Sequence, residues 1–235
     1  MNQVLQPYYE KSVLCPLCET SFHTRKIRSR FSNPYKIDAD FCPYFKDDRN
    51  NPLFYFVAVC PQCGYSSSEQ FSSLFPLDSK KHIWEKVSSS WKNLNFCEER
   101  SAKQAIDSYK LAIFCGELKK EKHEVMAGLC LRLAWIYRKN GEQEQEKRFM
   151  QLAVQKYEEA YLKNESFSES MSEMKVLFII GELHRRLDQP KEAMHNFSKV
   201  IKHQNKDFEM KLVKMAREQW MLMRDQKRVE EEVPQ

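Results

Sequence analysis

Glycine is scarce in this chain: five residues in 235, at positions 64, 116, 128, 141 and 181. No two lie close enough to build the glycine-rich loop that cradles phosphate. Proline is almost missing beyond Pro76, with only Pro190 and Pro234 following it. Helix interiors exclude proline, which lacks the N–H and clashes with the preceding turn, so its absence favours helix there. Long apolar runs are missing too. Residues 129–137 are interrupted by Arg132, and Val176 to Ile180 is short, whereas a membrane span needs about 18 apolar residues. Neither charge dominates: 38 Lys+Arg face 33 Asp+Glu, a net of +5, too mild to demand a nucleic-acid or membrane partner. There is no His-Glu-x-x-His and no nucleophile motif. The opening residues, Met-Asn-Gln-Val-Leu-Gln-Pro, lack the basic and apolar regions of a signal peptide, so the expectation is a cytoplasmic protein. In that reducing setting eight cysteines read as metal ligands and core residues rather than disulfides.

What the chain does have is a pair of two-cysteine turns, Cys15-Pro16-Leu17-Cys18 and Cys60-Pro61-Gln62-Cys63-Gly64. Four thiolates in two C-x-x-C turns match a tetrahedral metal site. Cys15, Cys18, Cys60 and Cys63 are the expected ligands. Four protein ligands close the coordination sphere, which points to structural Zn²⁺, favoured over iron in a rubredoxin-like S4 site. The proline after each first cysteine pre-sets φ, and Gly64 allows a tight turn, while the first turn has Glu19 there instead. Cys42 is a possible additional thiol near the metal and the only candidate reactive centre. His23 reads as polar surface, and Cys97, Cys115 and Cys130 as packing. The run 53–59, Leu-Phe-Tyr-Phe-Val-Ala-Val, reads as a strand entering the second turn.

Composition divides the chain near residue 77. Seven of nine prolines and 14 of 29 aromatics lie before it. The expected fold is α+β in two domains. Residues 1–77 form a small zinc-ribbon-like β domain, and residues 78–235 an all-α tetratricopeptide-like helical repeat domain with a C-terminal capping helix. In the second part, Leu177-x-x-Ile180-Gly181-x-x-His184 followed by Ala193-x-x-x-Phe197-x-x-Val200 has the small-and-large spacing of such a hairpin. Asp188-Gln189-Pro190 supplies its turn. Cys130-x-x-Leu133-Ala134-x-x-Tyr137 with Met150-x-x-Ala153 forms a second unit, offset by 47 residues rather than the ~34 of a regular array. Its second helix, from Glu142 to about Lys163, is therefore extended.

Several of these residues together resemble the bacterial family known as domain of unknown function 2225, over residues 11–204. The likeness is carried by the first cysteine turn, Asp38-x-Asp40-Phe41-Cys42-Pro43, Asn51-Pro52-Leu53 and Cys60-Pro61-Gln62-Cys63-Gly64-Tyr65. It continues in Ala105-Ile106-x-Ser108-Tyr109-Lys110-Leu111-Ala112 and in residues 128–138. The resemblance implies a cytoplasmic bacterial protein with cysteine turns ahead of tetratricopeptide-like helices, and implies no activity.

The functional expectation is an interaction adaptor or scaffold without catalytic residues. In tetratricopeptide register a peptide-binding groove comprises Trp135, Arg138, Lys139, Lys175, Phe178, Arg185 and Arg186, suited to an acidic protein or peptide partner. One alternative is a nucleic-acid-binding regulator using the zinc ribbon and the basic segment 23–30. Residues 1–77 carry 8 Lys+Arg against 7 Asp+Glu, which weighs against that. A further alternative is a thiol or metal-dependent redox protein using Cys42.

Overall fold

A computed structural model describes residues 5–168 and 171–232. Met1–Val4, on which the signal-peptide reading partly rests, lie outside the described residues. The first third consists of three separate antiparallel hairpins. β1 (Tyr8–Leu14) pairs with β2 (Ser21–Ile27), from Tyr8 opposite Ile27 to Leu14 opposite Ser21, and carries the first cysteine turn at its tip. β3 (Lys36–Ile37) pairs with β4 (Pro43–Tyr44) around Asp38 to Cys42. β5 (Ala58–Val59) pairs with β6 (Ser66–Ser67) around the second cysteine turn.

The strand expected over 53–59 is shortened to its last two residues. Pro52–Tyr55 forms a 3-10 turn instead. The Asn51 side chain accepts a hydrogen bond from the Leu53 N–H at 3.0 Å, and Pro52 occupies the first turn position. A cap followed by proline starts a helical turn, and that local chemistry overrides the β-propensity of the aromatics.

Seven α-helices follow among the described residues: α1 (Ser79–Lys86), α2 (Ala102–Lys119), α3 (His123–Lys139), α4 (Gln143–Leu162), α5 (Glu173–Arg186), α6 (Pro190–Lys202) and α7 (Met210–Glu232). α2 opens on a reciprocal capping box between Ser101 and Gln104, and α5 on Ser172, whose hydroxyl accepts from the Lys175 N–H at 3.1 Å. Two helical hairpins, α3–α4 and α5–α6, lie where the repeated spacing predicts them. The extended helix is there, and Pro190 begins α6. In the second hairpin a Cβ on Gly181 would lie 2.9 Å from the Phe197 ring, so glycine sets how closely α5 and α6 approach. α7 closes the end by packing Leu212, Val213, Ala216 and Met223 against α5 and α6.

The compositional boundary at residue 77 is not a boundary between cores. Cys42, Leu53, Val57 and Val59 share one apolar cluster with residues of α2 to α5. The Tyr109 hydroxyl, on α2, donates to the Leu53 carbonyl at 3.0 Å. The β-rich part alone is thin in apolar bulk, and it completes its core on the helices.

Candidate metal centre

The two cysteine turns are built alike. Cys15 N–H donates to the Thr20 carbonyl at 3.0 Å and Glu19 N–H to the Cys15 carbonyl at 2.9 Å. Cys60 N–H donates to the Tyr65 carbonyl at 2.9 Å and Gly64 N–H to the Cys60 carbonyl at 2.9 Å. The equivalent residues Glu19 and Gly64 are both left-handed, with φ of 60° and 74°. The first turn thus accepts a non-glycine residue in a strained conformation, with its side chain exposed. The second turn needs glycine for a further reason. A Cβ on Gly64 would lie 2.5 Å from the Trp91 ring, whose Nε1–H donates to the Pro61 carbonyl at 2.8 Å.

These turns bring the Sγ atoms of Cys15, Cys18, Cys60 and Cys63 within 4.8 Å of one another. Cys15 and Cys63 are 3.6 Å apart, as are Cys18 and Cys60, and none is disulfide-bonded. Four sulfurs at about 2.3 Å from a central ion stand about 3.8 Å apart in a tetrahedron. The donor set therefore fits a tetrahedral thiophilic metal. The thiols share protons unequally: the hydrogen bond with Cys63 holds Cys15 down at about 5, and the same bond pushes Cys63 well up. Burial lifts Cys60 to about 11. A bound cation would replace those protons. Around the cysteines, Phe22, Tyr65, Ile83, Val87 and Cys115 form the apolar shell, so α1 and α2 help to enclose the centre.

Cys42 does not belong to this centre. It is fully buried in the main core among residues of α2 to α5 and stands outside the four-sulfur cluster. Burial, with Asp40 nearby, pushes its pKa up to about 12. Burial likewise lifts Cys115 to about 11 and Cys130 to about 12, in keeping with packing roles.

The basic segment 23–30 lies on β2 and just beyond it, largely paired. Arg25 meets Glu98 at 3.4 Å and Glu99 at 3.6 Å, and its guanidinium stacks 4.0 Å above Tyr8. Lys26 meets Glu69 at 3.0 Å. Arg28 Nε donates to the Gln6 carbonyl at 3.2 Å. Arg25 and Lys26 are thus ion-paired within the chain, while Arg30 is exposed and stands over Phe31.

The expected peptide groove is filled in cis. Asp40, fully buried, receives Arg138 through both carboxylate oxygens: Nη2 donates at 2.6 Å and Nη1 at 3.2 Å. Trp135 Nε1–H donates to Asp40 Oδ2 at 3.0 Å, and Arg186 stands 3.6 Å from Asp40 and 3.7 Å from Asp38. Lys139 Nζ donates to the Pro43 carbonyl at 2.6 Å. Lys175 lies 5.3 Å above the Phe41 ring, and that ring meets buried Phe178 edge-on at 5.7 Å. Phe41 itself is left-handed, with φ of 66°. Arg185 turns instead to Glu182, at 2.7 and 2.8 Å. The face of α3 and α5 expected to take an acidic peptide therefore holds residues 38–43 of its own chain. Beside that segment an open cleft of about 420 Å³ remains, lined by Phe45, Phe56, Leu131, Arg132, Trp135 and Lys175 among others.

Sequence reasoning missed Glu146, whose carboxylate accepts from Arg138 Nε at 2.6 Å. The one available signal was an acid where the repeat favours alanine. No curated protein and no solved structure matches the chain. A family model does match, over residues 8–223, and it is described as an uncharacterized protein conserved in bacteria, DUF2225. With the cysteine turns, the β3–β4 hairpin and α1 to α6 all inside that span, the chain belongs to this bacterial family.

Proposed function

We propose that this protein is a non-catalytic interaction scaffold, in which a structural Zn²⁺ on Cys15, Cys18, Cys60 and Cys63 staples the two cysteine-bearing hairpins to each other beside tetratricopeptide-like helices. Zinc suits four thiolates in a closed, partly buried tetrahedron that leaves no position open for substrate. The ion would neutralise thiolates that otherwise share protons, and it would link two turns 42 residues apart between Cys18 and Cys60. The helix–turn–helix pairs α3–α4 and α5–α6, with Gly181 against Phe197, support the repeat reading.

The observation that carries the adaptor reading is the grip on Asp38 to Pro43. The repeat face combines a bidentate arginine, an indole N–H and an aromatic slot, which together suit an acidic residue followed by an aromatic one. A protein partner with acidic residues would dock in the adjoining cleft, next to Lys175 and Arg132. The thiol-enzyme alternative is weakened by the raised pKa of Cys42, and the nucleic-acid alternative by the ion pairs of Arg25 and Lys26.

The test is photo-crosslinking in bacterial cells with a photoreactive amino acid in place of Phe45. A discrete adduct that disappears when Lys175→Glu is added supports a protein partner in this cleft. No adduct, or one indifferent to Lys175→Glu, contradicts it.

A further inference from the structure

On the other side of the 49–54 turn lies a cleft of about 580 Å³, bounded by that turn, the start of α2 and the end of α3. Arg100 and Asn51 line it. Arg100 is 3% exposed and Asn51 fully buried. Arg100 sits immediately before the α2 cap, pinned by neutral acceptors: Nε donates to the Phe96 carbonyl at 2.7 Å, and Nη1 to the carbonyls of Phe54 at 3.0 Å and Val57 at 2.8 Å. Its Nη2 has no hydrogen-bond partner among the described residues. Neither has Nδ2 of Asn51, whose Oδ1 is used in capping Leu53.

No carboxylate pairs with Arg100 among the described residues. Its guanidinium stands instead over Tyr55 and Phe96 at 5.9 and 6.0 Å. The carboxylate on the rim, Glu99, is committed to Arg25 at 3.6 Å. A buried guanidinium without a counter-ion is costly, and two orphaned donors, each sealed from solvent on a residue that lines the cleft, double the anomaly. Burial accordingly pulls the Arg100 pKa down to about 10. Arg49 and Lys139 also border the cleft, and the first turn of α2, through Ser101, Ala102 and Gln104, adds the positive end of an 18-residue helix.

We propose that this cleft binds a small organic anion, its phosphate or carboxylate group held by Arg100 Nη2 and Asn51 Nδ2 at the N-terminus of α2. The volume exceeds what a bare oxyanion fills and lies in the range of small-molecule pockets, about 300–1,000 Å³. Phe54 and Ile136 supply apolar wall for the body that carries the anion. The site is separate from both the metal centre and the cleft proposed for a protein partner.

The experiment is an NMR titration of the whole, metal-loaded chain, observing arginine side-chain N–H signals, with inorganic phosphate and with succinate as probes. Asn51→Asp is the informative variant. It keeps the oxygen that caps Leu53 and puts negative charge where the orphaned donor was. In the wild type the Arg100 signals should shift saturably with at least one probe, and the stronger probe identifies the phosphate or carboxylate class. Affinity should fall by about tenfold or more in Asn51→Asp, the weight of one charge-assisted hydrogen bond. Arg49→Glu, on an exposed rim side chain, provides a second reduction in affinity independent of the core. Shifts that never saturate, that spare Arg100, or that are unchanged in both variants overturn the proposal.

Discussion

Arg138 and Asp40, 98 residues apart in sequence, form a bidentate pair at the contact between the β3–β4 hairpin and α3, with Nη2 to Oδ2 at 2.6 Å. The pair joins the hairpin of β3 and β4 to α3, and Trp135 and Arg186 converge on the same carboxylate. Burying Asp40 completely is tolerable because each oxygen is satisfied, Oδ1 also by the Cys42 N–H at 3.2 Å.

Removing one member of this pair leaves the other charge buried. Asp40→Ala is expected to destabilise the chain by about 3–5 kcal/mol in urea unfolding. Adding Arg138→Met to that variant should cost less than Arg138→Met alone, since the Asp40 contact is already gone and only the bonds to Glu146 and Asp38 remain to be lost. If the two losses simply add, the pair is not the anchor described.

The left-handed turns differ in a way that mutation can read. Glu19→Gly relieves a φ of 60° on an exposed residue and is expected to be neutral or stabilising by up to ~1 kcal/mol. Gly64→Ala drives a methyl into Trp91 and should be clearly destabilising, with part of the loss recovered in the double variant with Trp91→Ala. Equal effects at both positions in thermal melts would contradict the packing of Trp91 on the second turn.

Cys42 is expected to react slowly with iodoacetamide at neutral pH, at a rate set by unfolding of the core rather than by its own ionisation. The half-buried Cys97 should react first. Mass spectrometry of the time course checks this, and rapid labelling confined to Cys42 would revive the thiol-chemistry reading.

Acid should weaken the inserted hairpin. Burial raises the Asp38 pKa, but hydrogen bonds from Lys36 and Tyr44 and the charges of Lys36 and Arg186 outweigh it, and the net shift is downward. A carboxylate held below its unfolded value stabilises the fold fully above that value, 3.8. The contribution is lost as pH falls from 3.8 through the lower folded value. Asp38→Asn should therefore flatten the acid limb of a stability–pH curve below pH 4 and leave its slope near neutrality unchanged. An identical acid limb in the variant would remove Asp38 from the account.

The four-cysteine cluster was legible because its information is local. A C-x-x-C spacing and a flanking proline define each turn without help from the rest of the chain. The helical hairpins were legible for a similar reason, since Gly181, Ala193 and Phe197 mark one close contact between consecutive helices. The occupant of the repeat face was not. Trp135, Arg138, Lys139, Lys175, Phe178 and Arg186 all meet residues 38–43, but nothing in helical periodicity says that this segment returns to them. Cys42 went astray for the same reason, because its position near other cysteines in sequence says nothing of the core it enters. Residues 53–55 misled through β-propensity, where the Asn51 cap decides the local structure. The burial of Arg100 depends on three carbonyls from residues 54, 57 and 96 and has no sequence signature at all.

The most direct test of the stapled scaffold is metal analysis with X-ray absorption on freshly purified protein, wild type beside Cys60→Ser. The account predicts one zinc per chain bound by four sulfurs at about 2.3 Å. In the variant it predicts loss of that zinc, together with disordering of the hairpins that carry the cysteine turns. Iron in the site, a mixed nitrogen and oxygen shell, or a metal-free protein with its cysteine turns intact would contradict it.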